Sequence, residues 1–178
     1  MGRYSDYNEV REKDHWDTID PRAIPQVFKD MIRGKYYAEP CCGSGKLELL
    51  LRNCGAICLW ASDIRDNPWC VRDALELTKE DLSGCDLIIT NPPFSWGLLK
   101  PLLDHLPTLK PAWLLLPVQK THNDYMTSYM KRCSEIISIG RLYWVDKGPE
   151  HKNVRGKEDF CWCLFHDTEQ VTRFWSKR

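Results

Sequence analysis

The sequence predicts an α/β fold in which a mostly parallel sheet carries helices on both faces and an antiparallel pair of strands at one edge. Three observations predict it. From Asp20 to about Cys133, short apolar runs alternate with stretches of helical periodicity, the order that builds parallel sheets. Several of these runs stop at glycine, proline or an acidic residue, the punctuation of strand ends. The last two runs, 136–145 and 159–166, have only a Gly-, Lys- and Asn-bearing loop between them, which favours antiparallel pairing.

Residues 1–15 are charged and aperiodic and are expected to be poorly ordered. A single domain is expected over 16–178, since no repeat, low-complexity tract or Gly/Ser linker marks a boundary. Asp20-Pro21 reads as an N-cap with proline at the first helical position, opening a helix over 23–32 that stops at Gly34. A short strand over 35–39 leads into the tight turn Gly43-Ser44-Gly45 and a helix over 46–53 whose apolar positions are Leu47, Leu50 and Leu51. A second strand spans 56–61, and Asn67-Pro68 caps a helix reaching about Leu77. Residues 85–90 form a third strand, 95–106 a helix with Pro101 as a point of kinking or splitting, and 112–117 a fourth strand. A helix over 123–133 precedes the final two strands.

Composition narrows the function. The formal net charge of zero gives no global basic footprint of the kind that dominates nonspecific nucleic-acid binding. That weighs against a pure binding module and leaves room for an enzyme with one local basic face. The polar N-terminus has no apolar signal-peptide core, and no run approaches the roughly 18 apolar residues of a membrane span. The expectation is a soluble, cytoplasmic protein with no membrane partner. Nine cysteines, with no C-x-x-C pair, do not compose a zinc site, so reduced and mostly buried thiols are expected and no metal.

Asn91-Pro92-Pro93-Phe94 is the most informative segment. The prolines fix φ and lack N–H groups, so neither sheet nor helix passes through them. Asn91 is thereby held at the carboxyl end of a strand, where open α/β sheets place their ligands. A rigid amide, a prolyl carbonyl and an aromatic face suit a flat, amino-bearing base. The first strand ends in Glu39-Pro40-Cys41-Cys42-Gly43-Ser44-Gly45, whose glycines let a ligand approach the backbone at a helix N-terminus. Glu39 suits a cationic amino group better than a phosphate, and Leu47 stands where a phosphate-binding loop would need Ser or Thr. Asp63, eighteen residues beyond Gly45, ends the second strand and can accept hydrogen bonds from ribose hydroxyls or cap a turn. Asp81 and Leu82 precede the third strand, where they can meet an adenine amino group and ring or form a solvated acidic loop.

In this order and spacing these segments resemble the Rossmann-like S-adenosylmethionine-dependent methyltransferases, and more narrowly those that modify adenine N6. The resemblance covers roughly residues 16–166, and the chain is similar in size to the solitary DNA adenine methyltransferases of bacteriophages and prophages. It implies S-adenosylmethionine as cofactor, with Glu39, Cys41, Gly43 and Gly45 at the methionine moiety, Asp63 at the ribose, and Asp81 with Leu82 at the cofactor adenine. Trp16 and Thr18 occupy the place of the segment that packs on the methionyl end, although the chain has Asp20-Pro21 rather than Thr-Pro there. It also implies catalysis by Asn91, Pro92, Pro93 and Phe94: the Asn91 amide oxygen and Pro92 carbonyl accept hydrogen bonds from the target amine, and Phe94 stacks on a base flipped out of its duplex. Positioning of this kind can account for about 7–11 kcal/mol of a barrier.

Weaker candidates for nucleic-acid contact are Trp96, two residues past Phe94, and Lys120 and His122, which follow the fourth strand. Lys152, Arg155 and Lys157 lie in the densest basic stretch, 147–157. The expected activity is methylation of adenine N6 in DNA, in a bacterial or phage-infected cell. RNA adenine or guanine, protein glutamine, or a non-catalytic nucleic-acid-binding domain with a vestigial cofactor pocket are the alternatives. A chain this short lacks room for an ordinary target-recognition domain, so the expectation is that recognition falls to a short loop, a partner chain or a second copy, or that specificity is low.

Overall fold

Seven strands, β1 (Tyr36–Glu39), β2 (Ile57–Ala61), β3 (Leu87–Thr90), β4 (Ala112–Pro117), β5 (Cys133–Arg141), β6 (Asp159–Phe165) and β7 (Arg173–Trp175), join in one sheet of order β2-β1-β3-β4-β6-β5-β7. This arrangement is seen in a computed structural model that describes residues 17–65, 67–144 and 158–177. The expected N-terminal segment 1–15, Trp16 and the basic candidates Lys152, Arg155 and Lys157 lie outside the described residues. Strand β6 runs antiparallel to both β4 and β5, and the remaining pairs are parallel. The antiparallel pair is therefore present, with a strand that the sequence did not announce, β7, added outside it. Glu135 holds that strand by accepting from Arg173 Nε at 3.0 Å and from the Trp175 indole.

Alternation within the strands builds two cores. From β4, Ala112, Leu114 and Leu116 face one layer while Trp113 and Leu115 face the other. The first layer is covered by α3 (Trp96–Leu109) through Leu99, Leu102, Leu103 and Leu106. The second is covered by α1 (Gln26–Ile32) and α2 (Lys46–Arg52) through Phe28, Ile32, Leu47 and Leu51. Phe28 stacks on Trp162 with centroids 4.6 Å apart, and the Trp162 indole donates to Ala23 O at 2.7 Å.

Several helices differ from the sequence expectation for physical reasons. The helix expected over 23–32 is split: Pro21–Ala23 is a 3₁₀ turn and α1 starts after Pro25, because a residue preceding proline is driven out of the α region. The helix expected after Asn67-Pro68 is absent, apart from a 3₁₀ turn over Ala74–Glu76. Asn67 Oδ1 does accept from Trp69 N and Cys70 N, as an N-cap would. Its Nδ2 also donates to Cys70 O, which accepts from Asp63 N as well, so this carbonyl is committed to a closed loop. The helix expected over 123–133 shrinks to the short turns Asp124–Met126 and Thr127–Met130, because Cys133 is already the first paired residue of β5.

By contrast α3 outlasts its expected end at residue 106 and contains both Pro101 and Pro107. Each proline removes the N–H that the carbonyl four residues earlier would accept. For Pro107 that carbonyl is Leu103 O, and Arg132 Nη2 donates to it at 3.3 Å. For Pro101 it belongs to Gly97, which is exposed to water.

Candidate active site

The chain leaves β1 toward β2 on one side and returns to place β3 on the other, so the switch of direction falls between β1 and β3. Open α/β sheets leave a crevice outside the strand ends at that point. Glu39 ends β1, Asp63 follows β2 and Asn91 follows β3, which brings three expected site residues to one edge of adjacent strands.

The glycine loop is tied to that edge. Ser62 N donates to Glu39 O, and Cys42 N to Ser62 O, prolonging the β1–β2 pairing past the strands. Asp63 Oδ2 accepts from Gly43 N at 2.9 Å, and its Oδ1 accepts from Arg65 N at 3.0 Å. On the other side of the loop, Asp17 Oδ2 accepts from Ser44 Oγ at 2.6 Å. Gly43 and Gly45 have φ of +51° and +79°, the left-handed region that a side chain disfavours.

Glu39 is 1% exposed, and its Oε2 has no hydrogen-bond partner among the described residues. Thr18 Oγ1, also buried, is in the same condition. Burial, with the carboxylates of Glu48, Asp63 and Asp17 nearby, pushes the Glu39 carboxyl well above its ordinary range. A buried acceptor without a donor is costly unless a ligand supplies one. An ammonium group would satisfy Glu39 and offset the negative charge around it. Cys41 stands near Glu39, its thiol pushed up by burial and by Asp63.

Asp81 and Leu82 are placed differently from the expectation. Asp81 receives Arg72 Nη1 on Oδ1 at 2.8 Å, and Arg72 Nη2 and the Thr78 N–H and hydroxyl on Oδ2 at 2.8–2.9 Å. These donors, Arg72 above all, hold its carboxyl down to about 2. Leu82 is fully buried in the core under α3. Asp81 thereby secures the loop before β3.

Asp73, expected within a helix, lies instead at the sheet edge close to Asp63. Val71 pairs in parallel with Asp63 as an isolated bridge, and Arg72 N donates to Asp63 O at 2.9 Å. The chain thus continues the sheet one position beyond β2 and ends at Asp73 on the same edge. Asp73 is half-buried, and Leu75 N is its hydrogen-bond donor at 3.0 Å. An acid followed by Ala and Leu was visible as a cap; what hid it was the assumption of a continuous helix.

At the other side of the crevice Asn91 is half-buried with its Oδ1 shielded from solvent, and Pro92 is buried. The Phe94 ring lies 5.6 Å from Phe160 and 6.1 Å from Trp144, which meet each other at 4.6 Å. Neither of those partners was anticipated, because they come from the ends of β6 and β5. Trp96 turns to the opposite layer and packs 4.2 Å from the half-exposed Tyr125 and 5.9 Å from Tyr129. Lys120 and exposed His122 follow β4 at the same edge.

Comparison with solved structures bears on the fold. The chain is similar to a candidate RNA methyltransferase from Pyrococcus horikoshii, with TM-score 0.55 and 14% identity over 79% of this chain and 80% of that one. It is similar to the type I restriction-modification methyltransferase subunit of Streptococcus thermophilus, with TM-score 0.53 and 9% identity over 96% of this chain and 50% of the other. An S-adenosylmethionine-dependent O-methyltransferase from Thermotoga maritima matches with TM-score 0.52 and 12% identity over 92% and 72%. The fold is the Rossmann-like one of these methyltransferases. No family model matches the sequence, and neither does a curated protein. Among the described residues no cluster of His, Cys, Asp and Glu is arranged to hold a metal ion, and no helix is long and apolar enough to cross a membrane.

Proposed function

We propose that the protein transfers a methyl group from S-adenosylmethionine to an exocyclic amine of a nucleobase, adenine N6 in DNA being the first candidate. The observation that carries this reading is the pairing of two features at neighbouring strand ends. One is the buried Glu39 carboxylate with an unpartnered oxygen, and the other is the Asn-Pro-Pro-Phe turn. The residues fit the cofactor: Glu39 and Thr18 supply acceptors for its amino group, Asp63 borders its ribose, and Asp73, in place of Asp81, its adenine. When bound, it supplies a methyl already activated on a sulfonium.

The protein's own part is positioning. Asn91 and the Pro92 carbonyl accept hydrogen bonds from the amine and fix its lone pair toward the methyl, while Pro93 keeps the turn stiff. Acceptors set where positive charge develops lower the barrier without reorganising. Phe94, braced by Trp144 and Phe160, offers an aromatic surface for the base. Lys120 and His122, which follow β4 at the same edge, and Trp96, which packs in the opposite layer, are assigned to the nucleic acid around the target.

The test supplies labelled S-adenosylmethionine with duplex DNA, single-stranded DNA, RNA and cell protein, and identifies the modified group by mass spectrometry. N6-methyladenine in DNA is expected. Label in RNA, guanine or glutamine moves the acceptor; no label anywhere, with cofactor bound, makes the chain a binding domain. Asn91→Ala should lower turnover roughly 100- to 1,000-fold and leave cofactor affinity nearly intact.

A further inference from the structure

The connection from β2 to Asp73 is built around one side chain. The chain leaves the sheet at Asp63 and returns beside it, with Cys70 O accepting from Asp63 N at 3.1 Å. Within this loop Asn67 donates to Arg65 O and Cys70 O at 2.9 and 2.8 Å, and accepts from Trp69 N and Cys70 N at 2.8 and 3.0 Å. The mount carries Trp69, whose indole lies against Gly45. A methyl group placed on Gly45 would sit 1.9 Å from Cη2 and 2.5 Å from Cζ3 of that ring. Gly45 lacks a side chain not for a ligand alone but also to admit this indole.

We infer that Trp69 is a wall of the cofactor pocket that packs on the bound nucleoside along the glycine loop. This rests on the cofactor reading given above. Trp69 is 44% exposed although Asn67 holds its backbone N–H, so folding alone leaves much of its surface unused. It stands close to Asp63, the residue assigned to the ribose, since Asp63 is bonded to Gly43 and Trp69 covers Gly45 two residues on. A flat apolar surface next to hydroxyl acceptors is the usual lining for a nucleoside. A rigid indole supplies such contact area at little cost in side-chain freedom.

Calorimetric titration with S-adenosylmethionine and with S-adenosylhomocysteine tests this on the whole chain. Trp69→Ala should weaken both ligands roughly tenfold, and Trp69→Phe by much less. Turnover at saturating cofactor should stay near wild type, so the loss falls in KM. Asn67→Ala, which keeps the ring and frees its mount, should give an intermediate loss. The fluorescence change on ligand addition should be smaller in Trp69→Phe than in the wild type, and melting curves confirm that each variant is folded. Unchanged or tighter binding in folded Trp69→Ala overturns the inference. A wild-type chain that binds neither ligand overturns instead the cofactor reading beneath it.

Discussion

Glu39 and Asp81 are both carboxylates in segments that border β1 or β3, and their surroundings are opposite. Asp81 is saturated by Arg72 and Thr78 and held down to about 2. Glu39 is enclosed, has an oxygen with no partner, and is pushed well above its ordinary range. The first arrangement is scaffold, because every acceptor is already used within the fold. The second leaves a buried acceptor open, and the proposed function assigns that acceptor to a ligand. Equivalent residue types at similar positions thus differ in whether the fold itself supplies their hydrogen-bond donors.

Substituting Glu39 gives the largest expected effect on this contrast. Glu39→Gln removes the charge and keeps an acceptor, and should weaken S-adenosylmethionine binding roughly 10- to 100-fold by calorimetry, the size of a charge-assisted hydrogen bond. Binding within twofold of wild type would break the comparison. The same change should raise the melting temperature of the ligand-free protein at neutral pH. A carboxyl whose folded value is raised favours the fold below the ordinary carboxylate value, and that contribution is lost as pH rises toward the raised value.

Cofactor affinity should follow the same group with the opposite consequence. An ammonium ligand prefers the ionised carboxylate, so binding expels the Glu39 proton, and affinity should climb by up to roughly tenfold per pH unit above the ordinary carboxylate range. The climb should be absent in Glu39→Gln. A pH profile shared by the two proteins assigns the dependence to the ligand.

The smallest effects separate Asp73 from Asp81. Asp73→Ala should cost roughly fivefold in cofactor affinity, about one hydrogen bond, with little change in melting temperature. Asp81→Ala should do the reverse: affinity within twofold and a lower melting temperature. Because its value is depressed, the stability that Asp81 supplies is present above the ordinary carboxylate value and fades as pH falls toward about 2. If Asp81→Ala weakens binding more than Asp73→Ala, the two assignments must be exchanged.

Most strands were legible because a buried parallel strand needs a continuous apolar run, and this chain ends several of its runs with residues that cannot continue them. The first six strands stand within a few residues of their expected ranges, and the prolines after Asn91 do stop β3. What failed to read was the connection 62–86. Asn67-Pro68 carries a helix-start pattern, yet Asn67 can satisfy the same N–H groups by closing a loop, and local sequence does not choose between those uses. The loop wins because Val71 and Arg72 can pair with Asp63 beside an otherwise open sheet edge. β7 was illegible for a related reason: three residues gain strand geometry only by pairing with β5 and by the hold of Glu135.

By itself the sequence determined the α/β class, the glycine turn after β1 and the rigid Asn-Pro-Pro-Phe end of β3, since each depends on local backbone chemistry. Tertiary structure alone decided which acids remain unsatisfied, that Phe94 is braced by Trp144 and Phe160, and that Trp69 lies on Gly45. The physical reason is common to all three. Hydrogen-bond saturation and ring packing depend on which groups the fold brings together, and a sequence pattern carries no record of which partner arrives.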